Sequence, residues 1–293
     1  MVTRSFMHTA GFKDIYTLIR FPVSLAVTLS SLTGMVMATG EINSRMIWPL
    51  LAIFLLASGA SAFNQYQEWP RDEKMDRTRT RPIPSRRISP AEGLRIAMIT
   101  LVGGLIILMY QVNWNTLVLG LINLFWYNGL YTWLKRKTAF AVFPGALTGV
   151  IPIMMGFASM EHDYLSPTAL FLSFFIFIWQ MPHFWLLMLK YGDDYRKAGF
   201  PVLNDIFPES RIRIIVMVWV IASTAVSIML VFFRIIHHPL IGYTIMALNI
   251  ILLLILAWQL FLASSLRYRL VFVSANLFLF LVLAALTADS LLS

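Results

Sequence analysis

The sequence predicts an all-α, polytopic membrane protein, with nine transmembrane helices around a central cavity and a cytoplasmic amino terminus. Three observations carry that reading. Of 293 residues, 59% are apolar and only 13% are charged, and the mean hydropathy is +0.75, outside the range of ordinary soluble domains. Nine apolar runs, beginning near Leu18, Ile47, Leu94, Thr116, Ala139, Thr168, Ile212, Pro239 and Leu270, are each long enough to cross about 30 Å of hydrocarbon. With the amino terminus inside, 21 of the 23 Lys and Arg residues fall in cytoplasmic segments or at their edges, and only Arg45 and Arg234 lie outside. This is the bias of the positive-inside rule, and the odd number of spans puts the two termini on opposite faces. A single domain over residues 1–293 is expected.

Residues 1–14 carry Arg4, His8 and Lys13 but no apolar core. They are too short for a transit peptide, so a bacterial inner membrane is the expected location. After the first span, the second (from Ile47) ends in the most informative stretch of the chain, Asn64-Gln-Tyr-Gln-Glu68-Trp-Pro-Arg-Asp72, followed by Met75, Asp76, Arg77, Thr78, Arg79, Arg81 and Pro82. Charge this dense beside a bilayer needs partners. Asn64, Glu68 and Asp72 recur every four residues, which places them on one helical face, drifting by about 40° per step. Carboxylates and an amide oxygen so aligned form a hard-oxygen site suited to Mg²⁺. Pro70 is expected to break or kink the helix between Glu68 and Asp72. Arg77 and Arg81 offer planar donors of the kind that grip diphosphate. A long cytoplasmic connection, about residues 68–93, leads to the third span.

The fourth span, from Thr116, ends on Lys135-Arg136-Lys137, a cluster that suits a topogenic role as well as a ligand contact. Trp114, Trp126, Trp133, Trp219 and Trp258 are assigned to interfacial belts or packing. The fifth span begins near Ala139. The sixth, from Thr168, carries His183 and enters a second long connection, about 190–211, with Lys190-Tyr-Gly-Asp193-Asp194-Tyr195-Arg196-Lys197-Ala-Gly199-Phe-Pro201. Loops of this length in a compact domain are usually functional. The last three spans rest on hydropathy alone, and His162, His237 and His238 fall on the outer side. Spans two and six run in one direction and stand four apart, as in an internal repeat of four-helix units with two acidic motifs facing across a central cavity.

Composition excludes several classes. Without cysteine there are no disulfides, thiolate metal sites or cysteine nucleophiles. The +9 charge reads as topology and attraction to anionic membrane lipid, and no nucleic-acid module is present. A transporter is the competing class, but its charges would stand near helix midpoints. Here they gather at cytoplasmic ends.

At these residues the chain resembles the UbiA superfamily of intramembrane prenyltransferases, and within it the heme-farnesylating branch. Asn64, Glu68 and Asp72 stand at that family's Asn-x-x-x-Asp-x-x-x-Asp positions, and Met75, Arg77, Thr78, Arg81 and Pro82 continue the pattern. Leu134-Lys135-Arg136-x-Thr138, Trp179-Gln180-x-Pro182-His183-Phe184 and Asp194-Tyr195-x-x-Ala198-Gly199-x-Pro201 are similar to its other signatures. Glu68 for aspartate and Trp69-Pro70 for a basic and an acidic residue are departures. The resemblance implies transfer of a farnesyl group from farnesyl diphosphate to a vinyl carbon of heme b, with Mg²⁺ as cofactor, and a heme A synthase is a candidate partner that the sequence itself does not show. It implies that Asn64, Glu68 and Asp72 hold one metal, and that Asp193 with Asp194 hold a second or its water shell. Arg77, Arg81, Lys135 and Lys197 would meet phosphate oxygens. Phe63, Tyr66, Tyr127, Tyr131 and Phe184 would line the cavity, with Tyr131 against substrate. His183 has two readings, a heme contact or a packed, hydrogen-bonded residue. A quinone precursor or chlorophyllide is the alternative acceptor.

Overall fold

The computed structural model describes residues 11–293, so Arg4 and His8 lie outside the described residues. A short helix α1 (Phe12–Leu18) precedes α2 (Phe21–Thr39), α3 (Ile47–Asp72), α4 (Pro90–Gln111), α5 (Trp114–Leu124), α6 (Thr132–Leu134) and α7 (Val142–Ser159). Then follow α8 (Pro167–Lys197), α9 (Glu209–Phe232), α10 (Pro239–Ala257) and α11 (Tyr268–Leu292). Among the described residues, 8 helices are long and apolar enough to span a membrane. The span expected from Thr116 has a different construction: α5 passes into α6 through a π-helical stretch, Phe125–Tyr131.

Local chemistry accounts for the boundaries. Ser89 and Ser166 cap α4 and α8 by accepting from the Glu92 and Ala169 amides, and a proline follows each. Proline suits the first helical position because its missing donor would have no partner there. Gly40 ends α2 at φ 72°, the left-handed conformation that glycine adopts freely.

Two expectations need correction. Pro70 does not interrupt α3, which runs unbroken to Asp72. The proline is exposed and stands two residues from the helix end, so its missing donor costs a single bond in the final turn. The segment from 190 is likewise not loop at its start. Helix α8 continues to Lys197 and bends at Tyr191 (φ −120°, ψ 15°), which re-aims Asp193 and Asp194 relative to the span before them.

Packing joins two similar halves through α2. Helix α3 pairs with α4, and α8 pairs with α9, while α2 touches α3, α7 and α11. Helices α5 and α10 each pass into a π-helical stretch, the second being Trp258–Leu262. At the α2–α7 crossing, a Cβ on Gly34 would stand 2.7 Å from the Ile153 carbonyl oxygen, and one on Gly156 would collide with the Ser31 carbonyl. Small residues let membrane helices approach this closely, and the Ser31 hydroxyl donates to the Pro152 carbonyl at 2.8 Å across the seam.

Of two large apolar clusters, one draws on α7 to α11 and the other on α2 to α5 with α7. Two small ones sit at the end carrying the acidic motifs. Leu18, Ala62, Ile83, Ile88 and Ala97 seat the 73–89 segment, and Met75, Ala198 and Phe200 tie it to the segment after α8. At the opposite end, buried Asp289 accepts from the His237 and His238 amides at 2.9 and 2.8 Å, closing the α9–α10 turn.

Candidate functional site

Three successive turns of α3 turn Asn64, Glu68 and Asp72 inward, each 5% exposed. Burial of this kind requires partners for every charge, and the structure supplies them from three other segments. The π-helical stretch gives the first. Thr132 donates to the Tyr127 carbonyl at 2.8 Å, a five-residue reach, and accepts from the Asn64 amide at 3.0 Å. Asn128 meanwhile donates to the Ala60 carbonyl at 3.0 Å. Fastened to α3 in this way, the stretch delivers Lys135 to Glu68, Nζ to Oε2 at 2.5 Å, with the ammonium 5.3 Å above the Tyr131 ring. Such inserted turns recur at functional sites because they re-aim side chains without ending the helix. Glu68 Oε1 remains buried without a hydrogen-bond partner.

The segment after α3 folds back on it. Thr78 donates to the Asp72 carbonyl at 2.9 Å, and Arg81 Nη1 meets Asp72 Oδ2 at 2.7 Å. Burial pulls the Arg81 guanidinium below its ordinary pKa, Asp72 pushes it back up, and the positive charges of Arg20 and Arg77 lower it further. Arg77 binds the second motif. Its main-chain N–H donates to Asp194 Oδ2 at 3.1 Å and its Nη2 to the Tyr195 hydroxyl at 3.0 Å, while the guanidinium lies 4.9 Å over the Tyr191 ring. Lys197 stands 2.9 Å from Asp76 Oδ2 and 3.7 Å from Asp194 Oδ1. The Lys197 hydrogen bond and charge, with Arg79, hold the Asp76 carboxyl below its usual pKa.

The structure therefore brings together Asn64, Glu68, Asp72, Arg77, Arg81, Lys135, Tyr131, Asp194 and Lys197. It separates two of the expected residues from them. Asp193 points outward, 89% exposed at its side chain, and pairs with Arg196 at 2.6 Å. His183 lies farther down α8, its ring 4.9 Å from that of Phe272 on α11 and 5.2 Å from that of Trp179, with Nδ1 buried and unpartnered. Of the expected cavity walls, Phe63 stacks on Tyr66, and Tyr127 on Tyr131. The sequence reading gives Asp76, Thr132 and Tyr191 no role in the site. Asp76 could have been found, since it stands four residues after Asp72; the others depend on backbone geometry with no sequence mark.

Among the described residues, no three acidic or histidine side chains gather tightly enough to enclose a metal by themselves. Magnesium seldom asks for that, because it takes one or two carboxylates and completes its shell with water and substrate phosphate. The donor set fits such an ion, on the observation that a buried carboxylate oxygen of Glu68 is left free beside the inward Asn64 and Asp72. The arrangement is equipped to hold a phosphorylated, membrane-soluble substrate at one end of an apolar bundle.

Comparison with known proteins agrees. The pattern of the UbiA prenyltransferase family matches residues 27–288. The chain is 40% identical over 194 residues to the protoheme IX farnesyltransferase of Bdellovibrio bacteriovorus, covering 64% of this chain and 65% of that one. It is 34% identical over 238 residues to the protein of the same name from Flavobacterium psychrophilum, covering 80% and 75%. Its fold is similar to that of a digeranylgeranylglyceryl phosphate synthase (TM-score 0.75, 15% identity, 96% of this chain and 99% of that one). It is also similar to a UbiA homologue from Archaeoglobus fulgidus bound to GPP and Mg²⁺ (TM-score 0.72, 15% identity, 96% and 100%).

Proposed function

The chain belongs to the UbiA prenyltransferase family and is an intramembrane prenyltransferase, and from that premise we propose that it transfers a farnesyl group from farnesyl diphosphate to a vinyl carbon of heme b in a bacterial inner membrane. The observation that carries this reading is the paired acid and base cluster at one end of the bundle, together with relatives that share their name and at least a third of their aligned residues. Asn64, Glu68, Asp72 and Asp194 would hold Mg²⁺, which would neutralise the charge developing on the departing diphosphate. Asp193, on the rim, would act only through water.

The protein's own residues do the rest. Arg77 and Arg81 bind phosphate oxygens, with Lys135 and Lys197 as point charges beside them. As the allylic C–O bond breaks, the vinyl carbon of the acceptor forms the new C–C bond, and water adds to the resulting cation with loss of a proton. Aromatic faces at Tyr127 and Tyr131 favour that cationic character and exclude stray water. His183, with an unpartnered ring nitrogen, would contact the heme. A heme A synthase would receive the product. Mass spectrometry of hemes from cells with and without the protein tests the reading: a hydroxyethylfarnesyl heme that appears only with the protein supports it, and an unchanged heme profile beside a prenylated quinone precursor would replace it.

Two further results are expected. Arg81→Lys should lower transfer at least about tenfold, because lysine keeps the charge but loses the planar fork. Inorganic diphosphate should also inhibit the variant more weakly than the wild type; equal inhibition would detach Arg81 from the phosphate. His183→Ala should weaken heme b binding or shift its Soret band while affinity for a farnesyl diphosphate analogue holds. Equal loss of both ligands with a lowered melting temperature would make His183 a packing residue.

A further inference from the structure

Phe63 and Gln67 stand on a different face of α3 from Asn64, Glu68 and Asp72. With Leu101 of α4, and with Leu124, Phe125 and Asn128 where α5 passes into its π-helical stretch, they line a groove of about 330 Å³. Phe125 is exposed, so the groove opens onto the lipid-facing surface. Its lining is ordered. Gln67 lies one turn nearer the acidic end of α3 than Phe63, and Asn128 lies nearer Lys135 than Leu124, so the amides sit at one end and the hydrocarbon at the other. The two amides brace each other: Gln67 Nε2 donates to the Asn128 carbonyl at 2.9 Å, and Asn128 Nδ2 to Gln67 Oε1 at 3.3 Å. Arg136 stands at this polar end. Its Nη2 donates to the Gln67 carbonyl at 3.2 Å, and its Nε is buried with no partner. Lys137 beside it is exposed, with Nζ 6.0 Å above the Trp133 ring. Glu68, the carboxylate that follows Gln67 in sequence, is already taken by Lys135.

A topogenic arginine needs only to lie on the correct side of the bilayer. This guanidinium is instead hydrogen-bonded to α3 at the mouth of an apolar groove, with a donor left over. A charge held beside hydrocarbon calls for a counter-ion. The order met along the groove, cation, then amides, then hydrocarbon, is that of a phospholipid read from its phosphate to its acyl chain. The paired positive charges of Arg136 and Lys137 favour an anionic lipid over a zwitterionic one. We propose that this groove binds one anionic phospholipid, with its phosphate at Arg136 and one acyl chain running from Gln67 to Phe63. The lipid then lies against the stretch that carries Lys135 to Glu68, and outside the acid cluster itself. Arg136 and Lys137 answer the single charge of a phosphodiester, whereas a diphosphate would draw on the larger set of cations in that cluster.

Gly129→Leu tests this from the apolar side. Gly129 also lines the groove, and a Cβ there would meet only the Phe125 ring, at 3.6 and 3.7 Å, so leucine should fill the space without moving backbone. Arg136→Gln removes the charge and leaves the groove open, and it decides the question by itself if leucine disturbs the helix. Delipidated wild type and both variants are titrated with dioleoyl phosphatidylglycerol and with dioleoyl phosphatidylcholine by native mass spectrometry. Wild type should bind one phosphatidylglycerol at least about tenfold more tightly than phosphatidylcholine, the scale of a charge-assisted hydrogen bond. Arg136→Gln should lose that preference, and Gly129→Leu should lose tight binding of either lipid. Farnesyl diphosphate should not displace the lipid from wild type. Equal affinity of wild type for the two lipids, an Arg136→Gln variant that keeps the preference, a folded Gly129→Leu variant that keeps tight binding, or displacement by farnesyl diphosphate would each overturn the proposal.

Discussion

Replacing Glu68 with Gln is expected to lower prenyl transfer at least about 100-fold, the scale of losing a key electrostatic contact in a preorganised site. The variant loses the charge beside which Mg²⁺ would sit, and it also leaves Lys135 unmatched. The Glu68 and Lys135 side chains are only 6% and 18% exposed, and removing one partner of a buried pair costs about 3–5 kcal/mol. Melting temperature should therefore fall together with turnover. The double variant Glu68→Gln, Lys135→Met separates the two effects, since it should recover stability and stay inactive. Full turnover in well-folded Glu68→Gln protein would end the metal assignment. Glu68→Asp is not expected to improve on wild type, because Lys135 is already matched to the longer acid.

The largest structural effect is expected at Gly156. Its missing Cβ faces the Ser31 carbonyl, and the Gly34 Cα would lie 3.1 Å from that Cβ. Main-chain atoms of a neighbouring helix cannot turn aside as a side chain can. Gly156→Leu must part α2 from α7, at a cost above about 3 kcal/mol, and with them the hydrogen bond from Ser31 to Pro152. Size-exclusion chromatography in detergent should show little or no monodisperse protein. Gly103→Ala is the control: the nearest atom to its Cβ would be a Leu55 methyl at 4.0 Å, so it should behave as wild type. A monodisperse Gly156→Leu variant with wild-type melting would mean that the crossing carries no such constraint.

Much of this was readable from residues alone. Continuous apolar runs announce spans because no lipid-exposed backbone can leave its polar groups unpaired, and the four-residue recurrence of Asn64, Glu68 and Asp72 defines an inward face wherever the helix persists. Reading Pro70 as a breaker failed because what a proline costs depends on how near it stands to the end of its helix. The π-helical stretch after α5 was hidden for another reason: Phe125–Tyr131 differs from ordinary helix by one residue of register, and apolar sequence tolerates either. Asp193 and Asp194 look equivalent in sequence. The bend at Tyr191 makes one an inward acceptor and the other a rim charge.

The pairing of Glu68 with Lys135, Asp72 with Arg81, and Asp76 and Asp194 with Lys197 makes the protein its own counter-ion reservoir. It should therefore fold without metal or substrate, unlike small domains that fold only around their ion. On the proposed reading, loading would amount to a trade of partners, in which acids pass to an incoming dication and bases to the phosphates of the substrate. A chelated sample should accordingly melt where an untreated one does and regain full turnover when Mg²⁺ is restored.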